Sequence, residues 1–286
     1  MNELLGFDRR FALLVQECHL TRTTLLSGFD LLLKANVYQD KDGFFYSAFF
    51  EISIGLERLL KLAVITHHML VNNYRTPTIR ELRGKYGHDI SSLHDEAMRI
   101  MSIYFRGKSR STSPLDEVDS ALVGFFSEYA VGSRYFNLNE ICEAKLGQGP
   151  VSQWFKLAHE VFRTHTASHR VEKESLDIFY KMDREGIRNT FTHHKDESGQ
   201  LLMVGDCLYR QLVMTKSAPL VIWRLIEVFR PVYHLLEEMS QTAATHEREH
   251  GARTPIIPHY EDFFYFFLAT KSDIKRRKRW LEFANG

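Results

Sequence analysis

The chain has 286 residues, 44% of them hydrophobic, and a formal charge of +1 from 37 lysines and arginines against 36 aspartates and glutamates. That length and apolar content can bury a substantial core, which excludes disorder as the overall state. The balanced charge excludes a global field drawing the chain to nucleic acid or membrane, so any basic surface must be local.

Three cysteines, Cys18, Cys142 and Cys207, are far apart and lack metal-ligand spacing. They point to a reducing compartment and buried apolar roles rather than a disulfide framework. Met1 to Phe11 carries Glu3, Asp8, Arg9 and Arg10 where a secretory leader needs an apolar run, and no stretch approaches the roughly 18 apolar residues of a membrane span. A cytoplasmic protein that does not engage a membrane is expected.

Apolar residues at spacings of three and four predict an all-α protein. From about Leu4 to Lys34, Leu13, Leu14, Leu20, Leu25, Phe29 and Leu32 define one helix, or two broken near Gly28. A turn signal at Asp40 to Gly43 precedes a helix over Phe44 to Val71, with Phe49, Ile52, Leu56, Leu59, Leu60, Ala63 and Val64 on a broad apolar face. Tyr74 to Gly87, with Pro77 and two glycines, reads as a connection, and Asp89 as the N-cap of a helix from Ile90 to about Phe105. Residues 106–114 form a polar, basic loop.

Helices are predicted over Leu115 to Val131, Ser152 to Phe162 and Glu172 to Thr192, then a turn at Asp196 to Gln200 and a short extended piece at Leu201 to Leu208. The apolar helix from Pro219 to Met239 should kink or end at Pro231. Residues 1–240 thus read as one helical domain, 241–262 as a loop or linker, and 263–286 as an aromatic and basic C-terminal helix. Five successive aromatics, Phe263, Phe264, Tyr265, Phe266 and Phe267, cannot all hide on one helix face and suggest packing across a subunit interface.

Arg188, Asn189 and His193 form the leading candidate site. Cleaving RNA through its 2′-hydroxyl needs a proton shuttle that titrates near neutrality and a cation for the phosphoryl oxygens. His193 suits the first role and Arg188 the second. A pair at this spacing is expected about once by chance, and Arg83 with His88 supplies another; Asn189 distinguishes the first. The alternative is a helix C-terminus whose Arg188, His193, His194 and Lys195 meet the negative end of the dipole.

The segment Gly186-Ile187-Arg188-Asn189-Thr190-Phe191-Thr192-His193 resembles the signature of HEPN proteins, in which arginine is followed by a polar residue, three further residues and a histidine. Glu57-Arg58-Leu59-Leu60-Lys61, Gly87-His88-Asp89-Ile90 with Leu93, and Ser133-Arg134-Tyr135 are similar to other parts of such sequences. The resemblance spans roughly Phe44 to His194. It implies a HEPN-like helical bundle with additional helices, a homodimer that brings two motifs together, and RNA cleavage without metal or other cofactor, leaving a cyclic phosphate. It also implies His193 as general acid or base, Arg188 as phosphate clamp and Asn189 as an orienting group, in a growth-arrest or antiphage effector restrained by an inhibitory partner protein. Some HEPN toxins carry a modified tyrosine two residues after the histidine; here Lys195 stands there. A catalytically inactive RNA- or protein-binding scaffold on the same bundle is the alternative.

Further residues carry weaker signals. His246-Glu247-Arg248-Glu249-His250 formally fits a zinc-hydrolase pattern with Glu261 as third ligand, but the charged residues inside it and the nearby Gly251 and Pro255 oppose a buried zinc helix. His67 and His68 read as helix C-terminal dipole partners, and Glu57 with Lys61 as a surface ion pair. Lys271, Lys275, Arg276, Arg277, Lys278 and Arg279 beside Trp280 suit phosphate contacts and base stacking, or a solvated helix face.

Overall fold

Two long helices found the core: α1 (Arg9–Lys34), whose first turn is capped by Asp8, and α2 (Gly43–Val71). They run antiparallel, because Gly28 meets Ile52 while Leu25 meets Gly55. A Cβ on either glycine would lie within 2.6 Å of the opposing side chain, so the missing side chains set the closeness of the pair. Gly28, a weak point by propensity, is therefore a packing requirement, and α1 is continuous through it. The computed structural model describes residues 8–37, 43–106, 114–143, 148–195, 200–249 and 254–285. The residues before Asp8, and most of the expected turn at 40–43, basic loop at 106–114 and turn at 196–200, lie outside these.

Around this pair pack α4 (Ile90–Tyr104), α5 (Glu117–Val131) and α7 (Pro150–His165). Asp89 caps α4 through the Ser92 N–H, and Asp116 caps α5 through the Asp119 N–H. Phe49 on α2 lies at the centre, with ring centroids of Phe125 4.9 Å, Trp154 5.0 Å and Tyr129 5.5 Å away. The expected connection after Tyr74 contains a further helix, α3 (Ile79–Tyr86), opened by a reciprocal Thr78–Glu81 capping pair. A 3₁₀ turn (Ser133–Tyr135) leads into α6 (Phe136–Glu143).

The helix predicted to reach Thr192 stops earlier. α8 (Ser168–Glu185) ends at Gly186, which adopts a left-handed conformation (φ 67°). The Gly186 N–H bonds to the Asp183 carbonyl and the Ile187 N–H to the Met182 carbonyl, so orphan carbonyls are satisfied as in a Schellman cap. The aromatic and β-branched run that follows forms β1 (Phe191–Lys195), antiparallel to β2 (Leu201–Met203), a two-stranded hairpin that periodicity did not reveal. The extended piece expected to reach Leu208 is only these three residues.

α9 (Val204–Glu249) then runs 46 residues, about 70 Å, through both Pro219 and Pro231. A proline inside a helix costs about 3 kcal/mol. Here burial offsets it, since Leu220, Val221, Ile222, Leu225, Phe229, Val232, Leu235 and Leu236 are all nearly inaccessible. The expected linker from 241 is helical to Glu249, where buried Glu247 accepts the backbone N–H groups of Ile256 (3.1 Å) and Ile257 (3.2 Å) and folds the chain back. α10 (Glu261–Phe264), a 3₁₀ turn (Tyr265–Leu268), α11 (Lys271–Arg276) and a final 3₁₀ turn (Leu281–Asn285) replace the single C-terminal helix.

Three of the five successive aromatics close the chain's own core. Phe264, Phe266 and Phe267 are buried, and Arg230 of α9 donates to the Phe267 and Ala269 carbonyls. Residues from Leu14 to Trp280 share one apolar cluster, so 263–286 is not a separate unit. Among the described residues no helix is long and apolar enough to cross a membrane. Cys18 and Cys207 are buried as expected, whereas Cys142 on α6 is exposed, like most of that helix among the described residues.

Candidate functional site

Arg188 and Asn189 occupy a tight turn between the glycine cap of α8 and β1. The Thr190 N–H closes the turn on the Ile187 carbonyl at 3.1 Å, and the Val204 N–H anchors it to the Thr190 carbonyl at 3.0 Å. The motif is therefore split: arginine and asparagine on the turn, histidine on a strand. The helical relation expected between Arg188 and His193 does not exist, because Gly186 ends the helix before both. The dipole reading of His193, His194 and Lys195 goes with it.

Arg188 is well exposed, with one guanidinium nitrogen 3.5 Å from Asp183 and its centre 5.6 Å from the Phe179 ring centroid. At that separation the carboxylate engages only part of a group that carries five N–H donors. His193 is also exposed, on β1. His194 and Lys195 follow on β1, with Lys195 opposite Leu201.

Beside the turn opens a cleft of about 330 Å³, and Arg188 and Asn189 form part of its wall. α8 supplies Ser175, Ile178, Phe179 and Met182, which fall on one face at spacings of three and four. Met203 of β2 and Gly205, Asp206 and Tyr209 from the first turns of α9 complete the wall. His193 is not among its lining residues. A second cleft of about 460 Å³ shares Asp206 and Tyr209 with the first and adds Phe155, Lys156, His159, Leu202 and Arg210. His159 Nε2 and the Tyr209 hydroxyl are 3.1 Å apart. Sequence reasoning missed this neighbourhood. The apolar stripe of α8 was the available signal, but which helix it faces is a tertiary matter.

Glu57 and Lys61 do more than the expected surface pair. Lys61 Nζ lies 2.5 Å from the Glu57 carboxylate and donates to the Gly87 carbonyl at 2.8 Å, while His88 Nδ1 is 3.1 Å from both Glu57 oxygens. The structure thus joins two of the segments that carried the HEPN resemblance into a clasp between α2 and the loop before α4. His67 contacts the Tyr104 hydroxyl at 3.3 Å and is half-buried, which pushes its pKa down. It is a packing residue rather than the expected dipole partner. Arg134 lies over its neighbour Tyr135, 5.1 Å from the ring centroid, beside a shallow cleft with Tyr46, Phe50 and Glu51.

The basic tail does not present its tryptophan. Trp280 is fully buried, 5.2 Å from the Phe29 ring, and its backbone N–H and that of Leu281 bond the buried Asp30 carboxylate. It is therefore unavailable for base stacking. Arg276 and Arg279 are exposed but sit beside Asp273 and Glu282, respectively, and Arg277 lies 4.1 Å from the Phe283 ring centroid. Lys278 is exposed on the same surface.

The zinc-hydrolase pattern finds no matching geometry. Glu247, its expected base, is turned inward onto backbone N–H groups, and His246 Nδ1 contacts the Tyr74 hydroxyl at 3.3 Å. His250 lies outside the described residues, and Glu261 is 3.2 Å from His259. Among the described residues no three His, Cys, Asp or Glu side chains are grouped to share an ion. No family model, curated protein or solved structure matches this chain.

Proposed function

We propose that this protein is a HEPN-type endoribonuclease acting without metal at Arg188, Asn189 and His193. One observation carries the reading: Arg188 and Asn189 stand together on an exposed, backbone-locked turn at the wall of an aromatic-lined cleft, with His193 exposed on the adjoining strand. In the proposed reaction a ribose 2′-oxygen attacks the adjacent phosphorus and gives up its proton. The bond from phosphorus to the 5′-oxygen breaks, and that oxygen takes a proton. The products are a 2′,3′-cyclic phosphate and a 5′-hydroxyl. His193 serves one of the two proton transfers, Arg188 balances charge on the phosphoryl oxygens, and Asn189 orients the phosphate.

A homodimer belongs to the same reading. Leu176 and Tyr180 on α8, with Phe191 and Leu201 on the hairpin, are large apolar side chains 47–69% exposed around the motif. Leu176 and Tyr180 lie about 100° further round α8 than the face that lines the cleft, so a partner there need not fill it.

The second reading, a non-catalytic RNA- or protein-binding scaffold, is favoured by the Asp183 carboxylate, which competes with phosphate for Arg188. The deciding experiment incubates RNA with the protein in chelator beside His193→Ala and Arg188→Ala of verified fold. The expected loss is about 10²–10⁴-fold for His193→Ala and about 10²–10³-fold for Arg188→Ala. Equal cleavage by all three, or none by any, leaves the scaffold.

A further inference from the structure

Two clefts meet along Asp206 and Tyr209, and their chemistry differs on the two sides. We propose that together they hold a single strand of RNA, with one unstacked nucleobase in the cleft beside Arg188 and a neighbouring phosphate in the cleft beside Lys156 and Arg210. The identity of the polymer rests on the ribonuclease reading above; the placement rests on the clefts.

The first cleft has the composition that a base requires. Its walls are Phe179, Met182 and Tyr209, which give flat or polarisable apolar surface for a π-face. Beside Arg188 and Ser175 its polar groups include Asn189, which both donates and accepts, and Asp206, which accepts from the amino and imino hydrogens of a base edge. Its volume of about 330 Å³ lies at the small end of the roughly 300–1,000 Å³ typical of small-molecule sites. That is room for one base with its ribose, and a base splayed into it is unpaired, so the strand held there is single.

Charge marks where neighbouring phosphates would lie. Arg188 lines the first cleft. The second cleft, which shares Tyr209 with the first, carries Lys156 and Arg210, with the Arg210 guanidinium 4.7 Å from the Phe155 ring centroid. Cations in both clefts, with aromatic Tyr209 shared between them, are complementary to a phosphodiester backbone carrying one splayed base.

The test measures binding of a fluorescent, non-cleavable 2′-O-methyl oligonucleotide to the full chain by anisotropy, with an abasic strand of the same length as control. Phe179 is half-exposed, so Phe179→Ala should fold, and far-UV circular dichroism checks this. The expected result is weakening on the order of 10- to 100-fold for Phe179→Ala, and similarly for the abasic strand, as for loss of one stacked base. Phe179→Trp should restore affinity, and Lys156→Ala should flatten the salt dependence. No binding, equal binding of the abasic strand, or wild-type affinity in Phe179→Ala overturns the proposal. So does dissociation of a dimer by Phe179→Ala in sedimentation, which would make the cleft a protein contact. RNA cleavage without Phe179 dependence would sink this placement alone; Phe179-dependent binding without cleavage would sink the nuclease and leave the placement standing.

Discussion

Trp280 illustrates how one side chain can carry a misleading pattern. A tryptophan among six cations reads as a stacking platform, yet it is buried against Phe29, and its neighbouring backbone is tied to Asp30. Trp280→Ala should therefore cost about 3–5 kcal/mol in denaturant unfolding while leaving RNA affinity of the folded protein unchanged. A loss of affinity without a loss of stability would contradict the burial. Glu96 gives a pH-dependent counterpart. Two hydrogen bonds from Arg99, both 2.8 Å, pull its carboxyl from the ordinary 4.5 down to about 2. The unfolded chain therefore takes up this proton first. The pair's contribution is complete above about 4.5 and is lost as the pH falls toward 2. Glu96→Gln should flatten the acid limb of the melting temperature over that window, and an unchanged limb would remove the pair from the account.

Among the helices, three glycines do different physical work. Gly28 and Gly55 let α1 and α2 approach until each glycine touches the opposing side chain. Gly28→Ala adds a methyl at 2.6 Å from Ile52 and should destabilise by about 1–3 kcal/mol in chemical denaturation, overriding the usual helical advantage of alanine. Gly186 instead meets no atom within 4 Å of where its Cβ would be, and its cost on substitution is backbone strain alone. Gly186→Ala should lose about 1–2 kcal/mol and disturb the turn that presents Arg188 and Asn189. If RNA cleavage survives such strain undiminished, the turn does not set the arginine's position. α9 makes the complementary point: proline rules describe an isolated helix, and burial around most of its circumference keeps this one continuous through two.

For the molecule as a whole, the motif region differs from the rest. One apolar core runs from α1 to the C-terminal turns, whereas α6 adds nothing to it, α8 buries only Met182 and the hairpin stands at the surface. That imbalance supports self-association through Leu176 and Tyr180. Substituting both with lysine should convert a dimer to a monomer in sedimentation equilibrium without lowering the melting temperature of the folded chain; a wild type that is already monomeric would remove the dimer from the proposal. Periodicity alone determined that the chain is all-α, because apolar residues at spacings of three and four encode a buried helix face locally. It placed α2, α5 and most of α7 for the same reason, while Asp89 was legible from capping chemistry, and Arg188, Asn189 and His193 from the chemistry of their side chains and a family resemblance. The tertiary structure decided the rest. It determined that Glu247 turns inward to bind the returning backbone, that Trp280 fills the core, that α9 ignores its prolines, and that Phe179 and Tyr209 face each other's cleft beside Arg188. Each depends on which surface lies opposite, and burial against a distant segment is a property that neighbouring residues in sequence cannot encode.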